Sequence, residues 1–207
     1  MDLFSESYLS MVRLEQQRGQ LDCFPNWIAD SEANELFKEF SEQLQWSQPE
    51  LNVYGRRVLT PRLVAWYGDA GANYRYSGAL HKPLPWHPRL LQLKQCLEQQ
   101  FEIKLNSVLA NFYRNGDDSM GWHSDNEKEL GAEPVICSIS LGQPRYFDYR
   151  LIQQPKEKHR IELGHGSLII MRGEFQQWWQ HQVPKQKRLQ RGRINLTFRL
   201  VELSYAT

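Results

Sequence analysis

Apolar residues recur at helical spacing in the first half of the chain and at strand spacing in the second. In "DSEANELFKEFSEQL", from Asp30, the residues Leu36, Phe40 and Leu44 return at every fourth position and so share one face of a helix. Asp30 or Ser31 stands where a side chain can cap the free N–H groups of its first turn. A second helix is predicted over "HPRLLQLKQCLEQQF", from His87. Leu90, Leu93 and Leu97 share its apolar face, and Pro88 suits a first turn, where no N–H is needed. Residues 1–29 show no periodicity that assigns an element. "PRLVAWYGDAGANYRYSG", 61–78, reads as a strand followed by a glycine-rich loop.

From residue 104 the period shortens. "KLNSVLANFYRNG", "PVICSISLG", "RYFDYRL", "HRIELG", "SLIIMRG", "WWQHQVP" and "RINLTFRLVEL" are short β-rich segments separated by Gly, Pro and polar residues, the texture of a sandwich or barrel. In "ICSISL", Ile136, Ser138 and Ser140 alternate with Cys137, Ile139 and Leu141, as on a strand whose faces meet different surroundings. In "RINLTFR", Arg193, Asn195, Thr197 and Arg199 fall on one face and Ile194, Leu196 and Phe198 on the other. The layout is α+β in one compact unit: an N-terminal extension with a helix over 1–50, a middle section with the second helix over 51–103, and a β-core over 104–207.

Composition narrows the class. A chain of 207 residues is most simply one domain, and 41% hydrophobic residues with 12% aromatics exclude a disordered one. The formal net charge of +1 offers nucleic acid no global field, so such binding needs a local basic patch. Arg56 with Arg57 is one candidate; Lys185, Lys187, Arg188 and Arg191 form another. Each also fits an ordinary solvated turn or loop. Cys23, Cys96 and Cys137 are widely spaced, which suits free thiols in a reducing compartment. No secretory signal and no bilayer-spanning apolar run is read, so a cytoplasmic monomer without membrane contact is the expectation.

"GWHSDNE", 121–127, raises the question of chemistry. In an extended segment, His123 and Asp125 point the same way and can reach one point in space. A third ligand would come from His81, His87, His159, His165 or His181, of which His181 lies in the β-rich half ahead of the last strand. Two histidines and a carboxylate on one face of a metal, with positions left open, form the ligand set of a non-haem Fe(II) oxygenase. A solvated turn in which His123 and Asp125 bond each other fits the spacing equally well. Arg193 and Arg199, on the polar face of one strand, either bind anions or are solvated at a half-exposed face. "LANFYRNG" puts Asn111 and Tyr113 on a similar face. Carboxylate binders beside such a metal imply a dicarboxylate cosubstrate such as 2-oxoglutarate. A zinc hydrolase could use the same ligands but would not need the arginines. His165, in "GHGSL", reads as a strand-end histidine.

Taken together, "PRLVAWYGDAGANYRYSG", "NFYRNGDDSMGWHSDNEKELG", "PVICSISLG", "HGSLIIM" and "RINLTFR" resemble the AlkB family of Fe(II)/2-oxoglutarate dioxygenases, over roughly residues 50–202. The resemblance is greatest to the branch that contains the human duplex-DNA repair homologue. It implies a double-stranded β-helix, or jelly-roll, core with N-terminal helices and a nucleotide-recognition lid over 51–103. His123, Asp125 and His181 are the implied Fe(II) ligands. Asn111, Tyr113, Arg193, Asn195 and Arg199 are the implied binders of 2-oxoglutarate, with Thr197 near it and O2 as the second cosubstrate. The implied activity is oxidative demethylation of N-alkylated bases in single- or double-stranded DNA, such as 1-methyladenine and 3-methylcytosine, releasing formaldehyde, succinate and CO2. RNA, a protein or lipid substrate, and a non-catalytic jelly-roll binding module are the alternatives.

A methyl group inside a stacked duplex cannot reach a buried iron, so the nucleotide must flip out. Tyr54 matches the family's aromatic wedge, with Arg56 and Arg57 placed to hold phosphates. Tyr74, Tyr76 and Ser77 match positions lining the lesion pocket, and Arg62 matches a substrate-side arginine. The chain departs from the pattern where duplex-acting relatives carry a second aspartate. Asn126 accepts a hydrogen bond but brings no charge, which weakens the case for cationic lesions unless Glu127 supplies it.

Overall fold

A computed structural model describes residues 11–15, 17–53, 56–76 and 79–202. The N-terminal part holds β1 (Val12–Glu15), β2 (Gln20–Phe24) and α1 (Asp30–Gln43). Then come β3 (Glu50–Val53), β4 (Arg56–Leu59), β5 (Leu63–Gly68), β6 (Tyr74–Tyr76), β7 (Ala79–His81) and α2 (Pro88–Phe101). The β-rich half runs through β8 (Ser107–Tyr113), β9 (Met120–His123), β10 (Ile136–Gly142), β11 (Arg145–Leu151), β12 (His159–Leu163) and β13 (Ser167–Arg172). It closes with α3 (Phe175–Trp178), β14 (Trp179–Val183) and β15 (Arg193–Arg199).

Two antiparallel sheets carry the fold. The larger has seven strands in the order β1-β2-β13-β10-β15-β8-β5; the smaller has four, β12-β11-β14-β9. This is the expected jelly-roll architecture. Two hairpins, β3–β4 and β6–β7, form separate two-stranded sheets. Among the described residues no helix is long and apolar enough to cross a membrane.

β15 lies between β10 and β8, and all seven of its residues are buried. The half-exposed strand left open above is therefore not what forms. On one face, Ile194, Leu196 and Phe198 pack with Cys137, Ile139 and Val108 against α1 and α2, whose Leu36, Phe40, Leu90, Leu93 and Leu97 sit in the same core. Each such side chain contributes roughly 1.5–3 kcal/mol by leaving water. The other face of the sheet looks into the space between the sheets. Ile136, Ile169 and Met171 meet Phe147, Tyr149 and Trp179 there in a second core. The polar residues of β15 face that side.

Three expectations change. α1 begins at Asp30, with Ala29 at the N-cap and no side-chain cap; Asp30 lies inside the first turn, where its charge suits the helix dipole. The segment after β5 holds a strand, β6, paired with β7, rather than a loop alone. Residues in the unassigned N-terminal stretch form β1 and β2, and β2 pairs with β13. α2 follows its pattern: Pro88 opens it, and His87 Nδ1 accepts the Arg89 N–H at 3.3 Å. Since β2 and β5 join the sheet of the C-terminal strands, that sheet spans all three sections drawn from the sequence.

Candidate metal centre

β9 and β14 pair so that His123 stands directly opposite His181. Asp125 follows just beyond the end of β9. One ligand atom from each of the three lies within 4.8 Å of the others, and His181 Nε2 is 3.8 Å from Asp125 Oδ2. Asp125 is only 4% exposed and His181 5%, so neither sits in a solvated turn. Asp125 Oδ1 instead accepts Arg199 Nη2 at 3.0 Å, leaving Oδ2 toward His181.

The protonation states suit a cation. His123 Nδ1 lies 2.9 Å from the Gly121 carbonyl; that oxygen can only accept, so Nδ1 is the donor, and in the neutral ring Nε2 is the nitrogen that can meet a metal. Burial, reinforced by neighbouring His123, pushes His181 down to about 3, which keeps it neutral at ordinary pH. Burial alone would raise Asp125, but Arg199, His181 and His123 hold it below the usual carboxylate range. A neutral histidine and an ionised aspartate are the forms a metal binds.

Beside this group, β15 and β8 place Arg193 opposite Tyr113 and Asn195 opposite Asn111. Arg193 is 1% exposed. Its Nη2 donates to Ser140 Oγ at 2.8 Å, while Nε and Nη1 have no hydrogen-bond partner among the described residues. Burial lowers it to about 10, so it stays charged at neutral pH. A buried guanidinium with spare N–H groups is costly unless an anion meets it, and a carboxylate is such an anion. The Tyr113 ring centroid lies 5.3 Å from its carbon.

Arg193, Tyr113 and the histidine–aspartate group open onto one cavity of about 120 Å³. Asn111, Asn195, Thr197 and Arg199 also line it. Asn195 donates to Ser138 Oγ at 2.7 Å and Thr197 to Asn195 Oδ1 at 3.1 Å. Arg62, 3% exposed, donates from Nε to Asn111 Oδ1 at 2.7 Å and lines the same cavity. Glu127 lines it too, whereas Asn126 is exposed and is not among the lining residues. Tyr54 and Ser77 lie outside the described residues, as do the side chains of Arg56, Tyr74 and Tyr76. His165 stands apart from the metal group and accepts the Gly142 N–H on Nδ1 at 2.8 Å.

Among the buried polar side chains that were not anticipated, Arg145 and Gln176 bear on the site. Arg145, 1% exposed, donates to Gln186 Oε1 and to the carbonyls of Asn115, Asp118 and Pro184, at 2.8–3.1 Å. It ties the loop after β8 to the loop after β14. Its parity with the inward Phe147 and Tyr149 was a usable signal. Gln176, 1% exposed, accepts the Asp125 N–H at 2.8 Å; nothing in the local pattern marks it.

A jelly-roll with this donor set between its sheets belongs with the non-haem metal proteins of the two-histidine, one-carboxylate kind. The family model of the 2OG-Fe(II) oxygenase superfamily matches residues 20–199. The cattle protein "Alpha-ketoglutarate-dependent dioxygenase alkB homolog 3" is 40% identical over 186 residues, 86% of this chain and 64% of that protein. The human "DNA oxidative demethylase ALKBH2" is 33% identical over 195 residues, 89% of this chain and 75% of that protein. The chain therefore belongs to the 2OG-Fe(II) oxygenase superfamily and, within it, to the AlkB family. It spans just under two thirds of the length of the alkB homolog 3 relatives. Identity is higher to these than to ALKBH2, so the likeness is not confined to one branch. A solved structure, "The structure of OsALKBH1", shares the fold at a TM-score of 0.62 with 16% identity, covering 91% of this chain and 99% of that one.

Proposed function

We propose that this chain is an Fe(II)- and 2-oxoglutarate-dependent dioxygenase that removes methyl groups from ring nitrogens of bases in DNA, 1-methyladenine and 3-methylcytosine among them. One observation carries the reading: buried Arg193, two of whose nitrogens have no hydrogen-bond partner among the described residues, lines the same cavity as His123, Asp125 and His181. The two named relatives, a dioxygenase and a DNA oxidative demethylase, support it.

In this reading His123, Asp125 and His181 hold Fe(II), leaving positions open for cosubstrate and dioxygen. Arg193 takes the far carboxylate of 2-oxoglutarate through its guanidinium N–H groups. Arg62 engages Asn111 Oδ1, which fixes the amide oxygen and leaves the amide N–H groups of Asn111 as the donors for a ligand. Bound iron, with 2-oxoglutarate and dioxygen, supplies the oxidation of the methyl C–H to C–OH, yielding succinate and CO2. The N–CH2OH bond to nitrogen then breaks, formaldehyde leaves, and the hydroxyl proton ends on solvent or the ring nitrogen. Trp66, Leu109, Phe147 and Met171 give the cavity an apolar wall that excludes water.

The base reaches this cavity only when flipped from its stack. Glu127 offers a carboxylate to a base made cationic by methylation. By the resemblance of the sequence alone, Tyr54 is the proposed wedge, Arg56 a proposed phosphate contact, and Tyr74, Tyr76 and Ser77 proposed contacts to the flipped base.

The test is formaldehyde release from single-stranded and duplex oligonucleotides carrying either lesion, with Fe(II), ascorbate and 2-oxoglutarate. Formaldehyde and succinate are expected in equal amounts, and none from His181→Ala. Release from methylated RNA alone would move the substrate from DNA to RNA. No release from any methylated oligonucleotide would end the reading.

A further inference from the structure

Asp125 lies beyond the last residue of β9, in a segment without regular structure. No strand ladder holds it, yet its carboxylate must be aimed. Arg199 fixes Oδ1, and the Asp125 N–H donates to Gln176 Oε1 at 2.8 Å. We infer that Gln176 is a positioning residue for the metal-binding carboxylate: its side-chain oxygen pins the Asp125 backbone and thereby aims Oδ2 at the metal position. This rests on the reading of His123, Asp125 and His181 as ligands.

The chemistry of Gln176 is specific to that task. A glutamine 1% exposed is unusual, because burying an amide is costly without partners. The Asp125 N–H can only donate, which assigns the amide oxygen to it. The amide nitrogen is then left facing Met171 Sδ at 3.3 Å, a weak acceptor. Packing alone would favour an apolar side chain there. The oxygen is what an apolar residue cannot provide.

The support is also rigid. α3, which carries Gln176, is clamped by Gly19 at φ +106°. A Cβ on Gly19 would stand 2.2 Å from Phe175 N, so the two backbones touch. Phe175 is 0% exposed and stacks on Trp179 at 5.8 Å. Ser124 Oγ donates to the Trp179 carbonyl at 2.8 Å. The run from α3 into β14 therefore holds the Ser124–Asp125 segment twice and carries His181 itself. One stiff element sets two of the three ligands relative to each other.

Outer supports of metal ligands typically govern roughly 10–100-fold in affinity. The test titrates the full chain with Mn(II), following free Mn(II) by electron paramagnetic resonance, so no turnover is needed. Gln176→Met keeps the volume and removes the acceptor; Gln176→Glu keeps an acceptor oxygen at the same reach. Gln176→Met is expected to weaken Mn(II) binding about tenfold or more, and Gln176→Glu to recover most of that loss. Should Gln176→Met not fold, Gln176→Asn withdraws the oxygen by one methylene and carries the same expectation. Wild-type affinity in the acceptor-free variant, or equal weakening in it and in Gln176→Glu, overturns the inference while leaving the metal site standing. Wild-type protein that binds no Mn(II), or Asp125→Ala binding as tightly as wild type, overturns the metal reading itself.

Discussion

His123 and His181 are cross-strand neighbours, with ring centroids 4.2 Å apart. Side chains alternate along a strand, so a one-residue slip of β14 would turn His181 outward and bring Gln180 or Gln182 in its place. His181 stacks on Phe147 at 5.2 Å, and its Nδ1 has no hydrogen-bond partner among the described residues. Burial without a partner on that nitrogen means the imidazole costs stability when no metal is bound. His181→Leu is therefore expected to leave the metal-free melting temperature unchanged or raised, and to abolish Mn(II) binding. Melting curves with and without Mn(II) decide it; a strongly destabilised metal-free variant would show that the histidine is there for packing.

Arg193 follows the same logic with a larger charge. Its buried guanidinium keeps two nitrogens unpaired, so Arg193→Met is expected to be neutral or stabilising without ligand, by up to roughly 1–2 kcal/mol. The same change is expected to weaken 2-oxoglutarate binding by at least about 30-fold, the usual loss when one partner of a buried charged pair is removed. Urea denaturation and calorimetric titration with 2-oxoglutarate measure the two effects separately.

Arg145 has the opposite character, because all its contacts lie within the protein. Arg145→Met strips a donor from three carbonyls and from Gln186 Oε1, at a cost on the order of 3 kcal/mol. The two loops it joins also meet through Gly116 N–H to Leu189 O and Gln186 N–H to Gly116 O, both 2.8 Å. Amide hydrogen exchange at Gly116 and Gln186 is expected to quicken in the variant more than exchange in β10. Uniform acceleration throughout would mean simple loss of stability.

Asp148 governs part of the acid response. It is 1% exposed and takes two hydrogen bonds from Arg160, at 2.6 and 2.9 Å, and one from Gln182 at 3.0 Å. Burial alone would raise its carboxyl, but these bonds and the charges of Arg160 and Lys158 hold it below its ordinary value. A carboxyl depressed in the fold stabilises it above the unfolded value, near 3.9, and loses that contribution as pH falls through the folded value. Asp148→Asn is expected to cost on the order of 1 kcal/mol at pH 7 and to flatten the decline of stability below about pH 4. Denaturant midpoints across pH 7 to 2 would expose an unchanged slope.

Much of this was legible because period alone decides which face a side chain takes. Leu36 with Phe40, and Leu90 with Leu93 and Leu97, marked the two helices, and the alternation in β15 separated Arg193 from Ile194. Period says nothing of what covers a face. That the polar side of β15 is buried depends on the second sheet, whose strands come from elsewhere in the chain. β2 went unseen because its pairing with β13 is long-range, and strand formation there owes more to that partner than to local preference. Asp125 and His123 lay two positions apart in sequence; spacing alone left His181 one of five further histidines, the family resemblance singled it out, and the pairing of β9 with β14 placed it opposite His123. Gln176 had no signal, since its role exists only once α3 packs on Gly19.

In the function proposed here, three side chains gather one ferrous ion while Arg193 holds a keto-acid beside it. Anaerobic titration of the full chain with Fe(II) in the presence of 2-oxoglutarate tests it most directly, through the visible charge-transfer absorption of a chelated keto-acid. The expected result is a band that saturates at about one Fe(II) per chain, as a single three-ligand site requires, and is missing in Asp125→Ala and His181→Ala. No band in the wild-type protein, or a band that persists in both variants, would contradict it.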